Sequence, residues 1–225
     1  MPRAARRSAA LLFVCAALAR PALAEGGWTE VFREDGVTVL EQPVPQRSLP
    51  DFRGEETLDA ELYDVLAVIL DIPQQTEWMW QCRVSRVLRR EGEASVVYQV
   101  LDAKWPATDR DVVFRSTPSV VEPGRVLAVR FASLEDPSVP PVPSLVRMPE
   151  LSGDFRLEAQ DGTHTRVTYT VSANPGGPLP AMFLRETVRQ SPVDTLVGLR
   201  RRLGETRGRY AAVANDWRSR GASTR

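Results

Sequence analysis

The chain of 225 residues is poor in the side chains that most catalytic and metal sites need: one histidine, His164, one lysine, Lys104, and two cysteines, Cys15 and Cys82. A zinc site gathers three or four imidazole or thiolate ligands, and a hydrolase triad needs an imidazole beside its nucleophile. His164 follows Asp161-Gly162-Thr163, a sequence expected at a hairpin tip, where a polar residue is ordinarily solvated. No Gly-x-Ser-x-Gly elbow and no phosphate-cradling glycine motif occurs. The carboxylate pairs Glu55-Glu56 and Glu91 with Glu93 fall in turn or edge contexts and read as solvated charge. No metal and no cofactor is therefore expected. Cys82 reads as a small buried hydrophobe.

Long hydrophobic runs are also missing. The longest, Ala9–Ala19, is too short to span a bilayer. It follows Arg3, Arg6 and Arg7 and precedes Ala22-Leu23-Ala24, the layout of a cleavable secretory signal over residues 1–24. The mature protein is thus expected to begin near Glu25 and to be exported, periplasmic or secreted, by the general route, with the twin-arginine route as the alternative. Without Cys15 it holds a single cysteine, so no internal disulfide can form. Charge is uneven along the chain. From Ala181 onward ten arginines face only Glu186, Asp194, Glu205 and Asp216, so a basic segment follows an acidic body.

Trp28–Arg33 and Val37–Gln42 flank Glu34-Asp35-Gly36 and read as a hairpin, followed by a third strand at Phe52–Leu58. Leu62, Val65, Leu66 and Ile69 recur at helical spacing, so a helix is expected over Ala60–Leu70 with Asp59 as its cap. Six strands follow, at Val84–Leu88, Ser95–Leu101, Asp111–Val121, Arg125–Ser133, Gly153–Glu158 and Thr165–Ser172. Leu127, Val129 and Phe131 alternate onto one face, as do Val167, Tyr169 and Val171, which predicts a curved antiparallel sheet with a dry side. Four prolines within Pro137–Pro143 exclude that stretch from a sheet interior and make it a stiff, apolar loop. A long helix is expected over Leu179–Leu203, with Leu184, Val188, Pro192, Leu196, Leu199 and Leu203 along one side and a kink at Pro192. The basic extension 204–225 is expected to form a weak helix around Tyr210, Val213 and Trp217 before fraying.

In their order and spacing, several short motifs resemble the START domain, the steroidogenic-acute-regulatory-related lipid-transfer family of the helix-grip, Bet v 1-like superfamily. They are Trp105-Pro106, Arg110-Asp111-Val112-Val113, Val146-Arg147, Gly153 with Phe155, Gly162-Thr163 with Thr165, Val167, Thr168 and Tyr169, and Asn174-Pro175-Gly176-Gly177 with Leu179-Pro180. The resemblance runs from about Trp28 to Leu203. It implies an α+β helix-grip fold, a curved antiparallel β-sheet wrapped around a long C-terminal α-helix, enclosing a hydrophobic cavity that holds one lipid. Tyr98, Trp105, Phe114, Leu127, Val129 and Phe131 from the sheet side are then expected to line it, with Tyr169, Met182, Phe183 and Val188. It also implies that Pro137–Leu145 lies beside the tunnel mouth. Its tip, Pro140, Pro141, Val142 and Pro143, then forms a gate swinging about hinges near Asp136 and Val146. Arg110 and Asp111 read either as an ion pair fixing a strand start or as a ligand contact. The acid–base pair that sterol-binding members hold inside the tunnel has no clear counterpart here, and Asn174 stands where the family usually has aspartate.

The expected function is non-catalytic carriage or sensing of one hydrophobic molecule by a monomer. No nucleic-acid partner is expected. The basic segment, with Arg185 and Arg189 near the mouth, could also touch an anionic membrane surface. The alternatives are a cyclase or dehydratase of the same superfamily and an interaction module with an empty cavity. The export signal speaks against the first, because the carrier-bound substrates of such enzymes are cytoplasmic.

Overall fold

A computed structural model describes residues 27–222 except Lys104, Pro106, Leu179 and Pro180, and only the backbone at 181–184, 186, 187 and 222. The expected signal segment lies outside the described residues.

Three strands open the fold, β1 (Thr29–Glu34), β2 (Val37–Gln42) and β3 (Asp51–Leu58). Helix α1 (Leu62–Leu70) and a 3-10 turn, Ile72–Glu77, lead into β4 (Cys82–Glu91), β5 (Ala94–Leu101), β6 (Arg110–Glu122) and β7 (Val126–Ser133). Then come β8 (Val146–Arg147), β9 (Glu150–Ala159), β10 (Thr165–Asn174), α2 (Ala181–Glu205) and α3 (Ala211–Ala222). One sheet runs β1-β2-β3-β10-β9-β7-β6-β5-β4, antiparallel throughout. The short strand β8 pairs in parallel with the first residues of β6. The first hairpin turns at Asp35 and Gly36, both at positive φ (50° and 88°), as the acidic-glycine signal implied.

The sheet curves around α2. Val193, Leu196 and Leu199 are buried on it, each contributing roughly 1.5–3 kcal/mol as a filled side-chain site. Two glycines set how closely the helix approaches. A Cβ on Gly54 of β3 would stand 2.7 Å from Cβ of Pro192, and one on Gly198 would stand 2.0 Å from the carbonyl oxygen of Trp78. Helix α2 continues through Pro192, which occupies the space that Gly54 leaves.

One local expectation is corrected. Asp59 does not cap α1: the N-cap is Glu61, with no side-chain cap hydrogen bond. The preceding turn is held instead by Ala60, whose N–H donates to Leu58 O at 2.9 Å and whose carbonyl accepts from Thr165 Oγ1 at 2.8 Å, so the helix begins later. The helix expected around Val213 and Trp217 forms as α3. Helix α3 packs on α1, with Ala214 and Trp217 buried, Val213 exposed, and Tyr210 donating its phenol proton to Asp71 at 2.8 Å.

The basic segment finds counter-charges on the acidic body. Arg185 pairs with Glu41 and Arg218 with Glu61, both at 2.6 Å, and Arg200 pairs with Glu56. Arg189 lies over the Phe32 ring at 4.7 Å. No described helix is long and apolar enough to cross a membrane.

Candidate ligand cavity between helix and sheet

A cavity of about 250 Å³ lies between α2 and the concave face of the sheet. Its wall follows from strand alternation. Arg110, Phe114 and Ser116 face it from β6, Val129 and Phe131 from β7, Leu151 and Phe155 from β9, and Tyr169, Val171 and Ala173 from β10. Val188, Ser191 and Thr195 close it from α2. Phe131 is the hub of the aromatic wall, with ring centres of Phe114 and Tyr169 at 6.2 Å and Phe155 at 6.4 Å. Phe155 and Tyr169 stack at 4.5 Å. Gly153 makes room for that hub, since a Cβ there would stand 2.6 Å from Cζ of Phe131.

Polar groups interrupt this apolar wall at chosen points. Gln99 Nε2 donates to Gln75 Oε1 at 2.7 Å and to Ser85 Oγ at 3.2 Å, and Gln75 Nε2 donates to Ile69 O at 3.0 Å. Tyr169 hydrogen-bonds Ser191, and burial pushes its phenol up to about 12. The cavity reaches the surface where β5 ends and β6 begins: Asp102, Ala103, Trp105 and Ala107 line that rim beside Trp80 and Pro175. Trp105 is 92% exposed there.

Seven of the residues expected at the site come together in this wall: Trp105, Arg110, Phe114, Val129, Phe131, Tyr169 and Val188. Leu127 shares the face of Val129 but lies in the solid core. The side chains of Met182 and Phe183 lie outside the described residues. Tyr98 is on the opposite face of β5, packed with Val96, Val100, Val113 and Val139. Strand β5 is buried on both sides from Ala94 to Val100, so its composition carries no sign of which side faces in.

The gate expectation is corrected for the same reason. The loop Pro137–Leu145 covers the outer face of β5 and β6 through Val139, and Pro140, Pro141, Val142 and Pro143 are exposed and line none of the cavity. Both expected hinges are anchored. Asp136 accepts from Arg89 and from Ser138 Oγ (2.6 Å) and N–H (3.0 Å), which holds its carboxyl down at about 2, while Val146 lies in β8 beside Arg110. Arg110 and Asp111 form no pair with each other, because neighbours on a strand face opposite ways. Asp111, fully buried, takes both prongs of Arg147 at 3.0 and 2.9 Å, and Arg147 donates onward to Val139 O at 3.3 Å. That chain ties the proline-rich loop to the sheet.

Sequence reasoning missed Gln75, Gln99, Ser191 and Thr195. A glutamine inside the apolar strand Ser95–Leu101 was the one signal available. His164 sits at the β9–β10 hairpin tip against Asp161, and Cys82 is buried with its thiol pushed up to about 12.

A sheet of nine antiparallel strands and one short parallel strand, gripping a helix near the C-terminus around an apolar cavity, defines the helix-grip class. The START domain family model matches residues 11–209, and the chain belongs to that family. An uncharacterised protein of Pseudomonas aeruginosa is 31% identical over 179 residues, 80% of this chain and 87% of its own. The mouse phosphatidylcholine transfer protein is 24% identical over 176 residues, 76% of this chain and 80% of its own. The crystal structure of a STAR-related lipid transfer protein fragment from Xanthomonas axonopodis superposes with a TM-score of 0.72 at 31% identity, covering 79% of this chain and 98% of that one.

Proposed function

We propose that this protein binds one lipid-like molecule in the cavity beneath α2 and carries it between membrane surfaces outside the cytoplasm, without chemical change. The observation that carries the reading is the cavity itself, apolar on the sheet side, with a few placed polar groups and an open rim at Trp105. At about 250 Å³ it lies just below the usual range of roughly 300–1,000 Å³ for small-molecule sites, which favours a single apolar chain over a two-chain lipid. The lipid-transfer names among its relatives point the same way.

The exposed Trp105 at the rim is the membrane contact in this reading, since indole rings favour the bilayer interface. The test is a transfer assay between donor and acceptor vesicles using a fluorescent single-chain lipid. Wild-type protein is expected to accelerate transfer, and Trp105→Ala to slow it. No acceleration by a folded wild-type protein that binds the probe would reject carriage and leave storage or sensing. Failure to bind any single-chain lipid would reject the reading.

A further inference from the structure

Arg110 is the one arginine in the cavity wall among the described residues, and it is only 6% exposed. Buried guanidinium groups normally hold a carboxylate, because an uncompensated charge in a low-dielectric site is costly. Arg110 holds none among the described residues. Its Nη1 donates to Thr108 O, its Nη2 reaches Gly176 O at 3.5 Å, and its Nε has no partner. Asp111, next in sequence, faces the other side and is fully engaged by Arg147. Asp109 is near enough to act through its field, but it is occupied by Arg83 and by the N–H of Ala103. Asp102, the one carboxylate in the wall among the described residues, pairs with Arg83 as well. Burial lowers the pKa of Arg110, which is the mark of a cation kept from water without an adequate counter-charge.

Its position gives that unmatched cation a use. It stands at the start of β6, level with the β10–α2 turn, where Gly176 and Gly177 at positive φ (62° and 82°) bring the chain past the guanidinium. Phe114 follows on the same strand face, and Ser116 lies six residues beyond Arg110, about 20 Å along an extended strand. A molecule with an acidic end at Arg110 therefore has an apolar path running inward from it.

We infer that Arg110 is the headgroup contact of the cavity, and that the ligand is an amphiphile with an anionic head, carboxylate or phosphate, whose apolar chain runs inward past Phe114. This rests on the lipid-binding reading above and narrows it to acidic ligands. The two backbone carbonyls each take one donor and hold the guanidinium plane, so an anion meeting its remaining N–H groups requires little further ordering.

The experiment compares three probes with one chain: oleic acid, oleyl alcohol and oleoyl lysophosphatidic acid, each titrated by displacement of a fluorescent fatty probe. Wild-type protein is expected to bind the acidic probes at least about tenfold tighter than the alcohol, the scale of one charge-assisted hydrogen bond. Arg110→Gln is expected to erase that preference, and Arg110→Lys to restore part of it. A preference for oleic acid over the lysophosphatidic acid identifies the head as a carboxylate, and the reverse as a phosphate. A wild-type protein that binds alcohol and acids equally overturns the inference without any variant and leaves the lipid cavity standing. The same holds for a folded Arg110→Gln protein that keeps the preference. Failure of all three probes to bind would instead remove the reading on which the inference rests.

Discussion

Tyr169 shows how one residue joins packing to chemistry in this cavity. Its ring stacks on Phe155 and its hydroxyl meets Ser191 on α2, so sheet and helix share one buried phenol. With its pKa raised from 10.0 to about 12, the neutral phenol supports the fold fully below pH 10, and that support is lost as pH rises towards 12. An alkaline absorbance titration should find one phenol that ionises only as the fold is lost, and Tyr169→Phe should remove that step. Ionisation of all four tyrosines before unfolding would contradict it. The wall was legible where alternation leaves one side wet, at Val129, Phe131 and Tyr169. It was illegible at Tyr98, whose strand is dry on both sides because the proline-rich loop covers the second. Tyr98→Leu should therefore lower the melting temperature and leave lipid affinity unchanged in a displacement titration; lost affinity in a protein that still folds would move Tyr98 to the cavity side.

Elements outside the cup are held by charge and by small apolar contacts. The proline-rich loop hangs on Asp136 and on the Asp111–Arg147 pair. Because the Asp136 carboxyl is depressed from 3.8 to about 2, its contribution is present above the unfolded value and fades as pH falls from about 4 to 2. Thermal melts of Asp136→Asn should thus fall below wild type at neutral pH and converge with it near pH 2; a gap that persists at that pH would assign the anchor to something other than charge. Helix α3 rests on α1 through Trp217, and Trp217→Ala should cost about 3–5 kcal/mol in denaturant unfolding. Lipid affinity should survive, since no described residue of α3 lines the cavity. Strands β7 and β10 and helix α2 were legible because their apolar periods are regular. Helix α3 was only half legible, because its docking depends on Glu61 and Asp71, far away in sequence and silent as partners until the chain folds.

At the scale of the whole molecule, a curved sheet, one long helix and close approach at Gly54 and Gly198 leave a space that the side chains do not fill. Periodicity and family resemblance together made the cup readable. They did not reveal that the β5–β6 turn around Trp105 lines the rim and that the proline-rich loop does not. The central claim is that this space holds one ligand. Native mass spectrometry of the protein with excess oleic acid tests it directly, with Val188→Trp as the comparison, a change that fills the cavity from α2 at an overpacking cost of about 1–3 kcal/mol. The account predicts a single bound lipid per wild-type chain and none on the folded variant. One lipid bound equally by both, or several bound to the wild type, would contradict it.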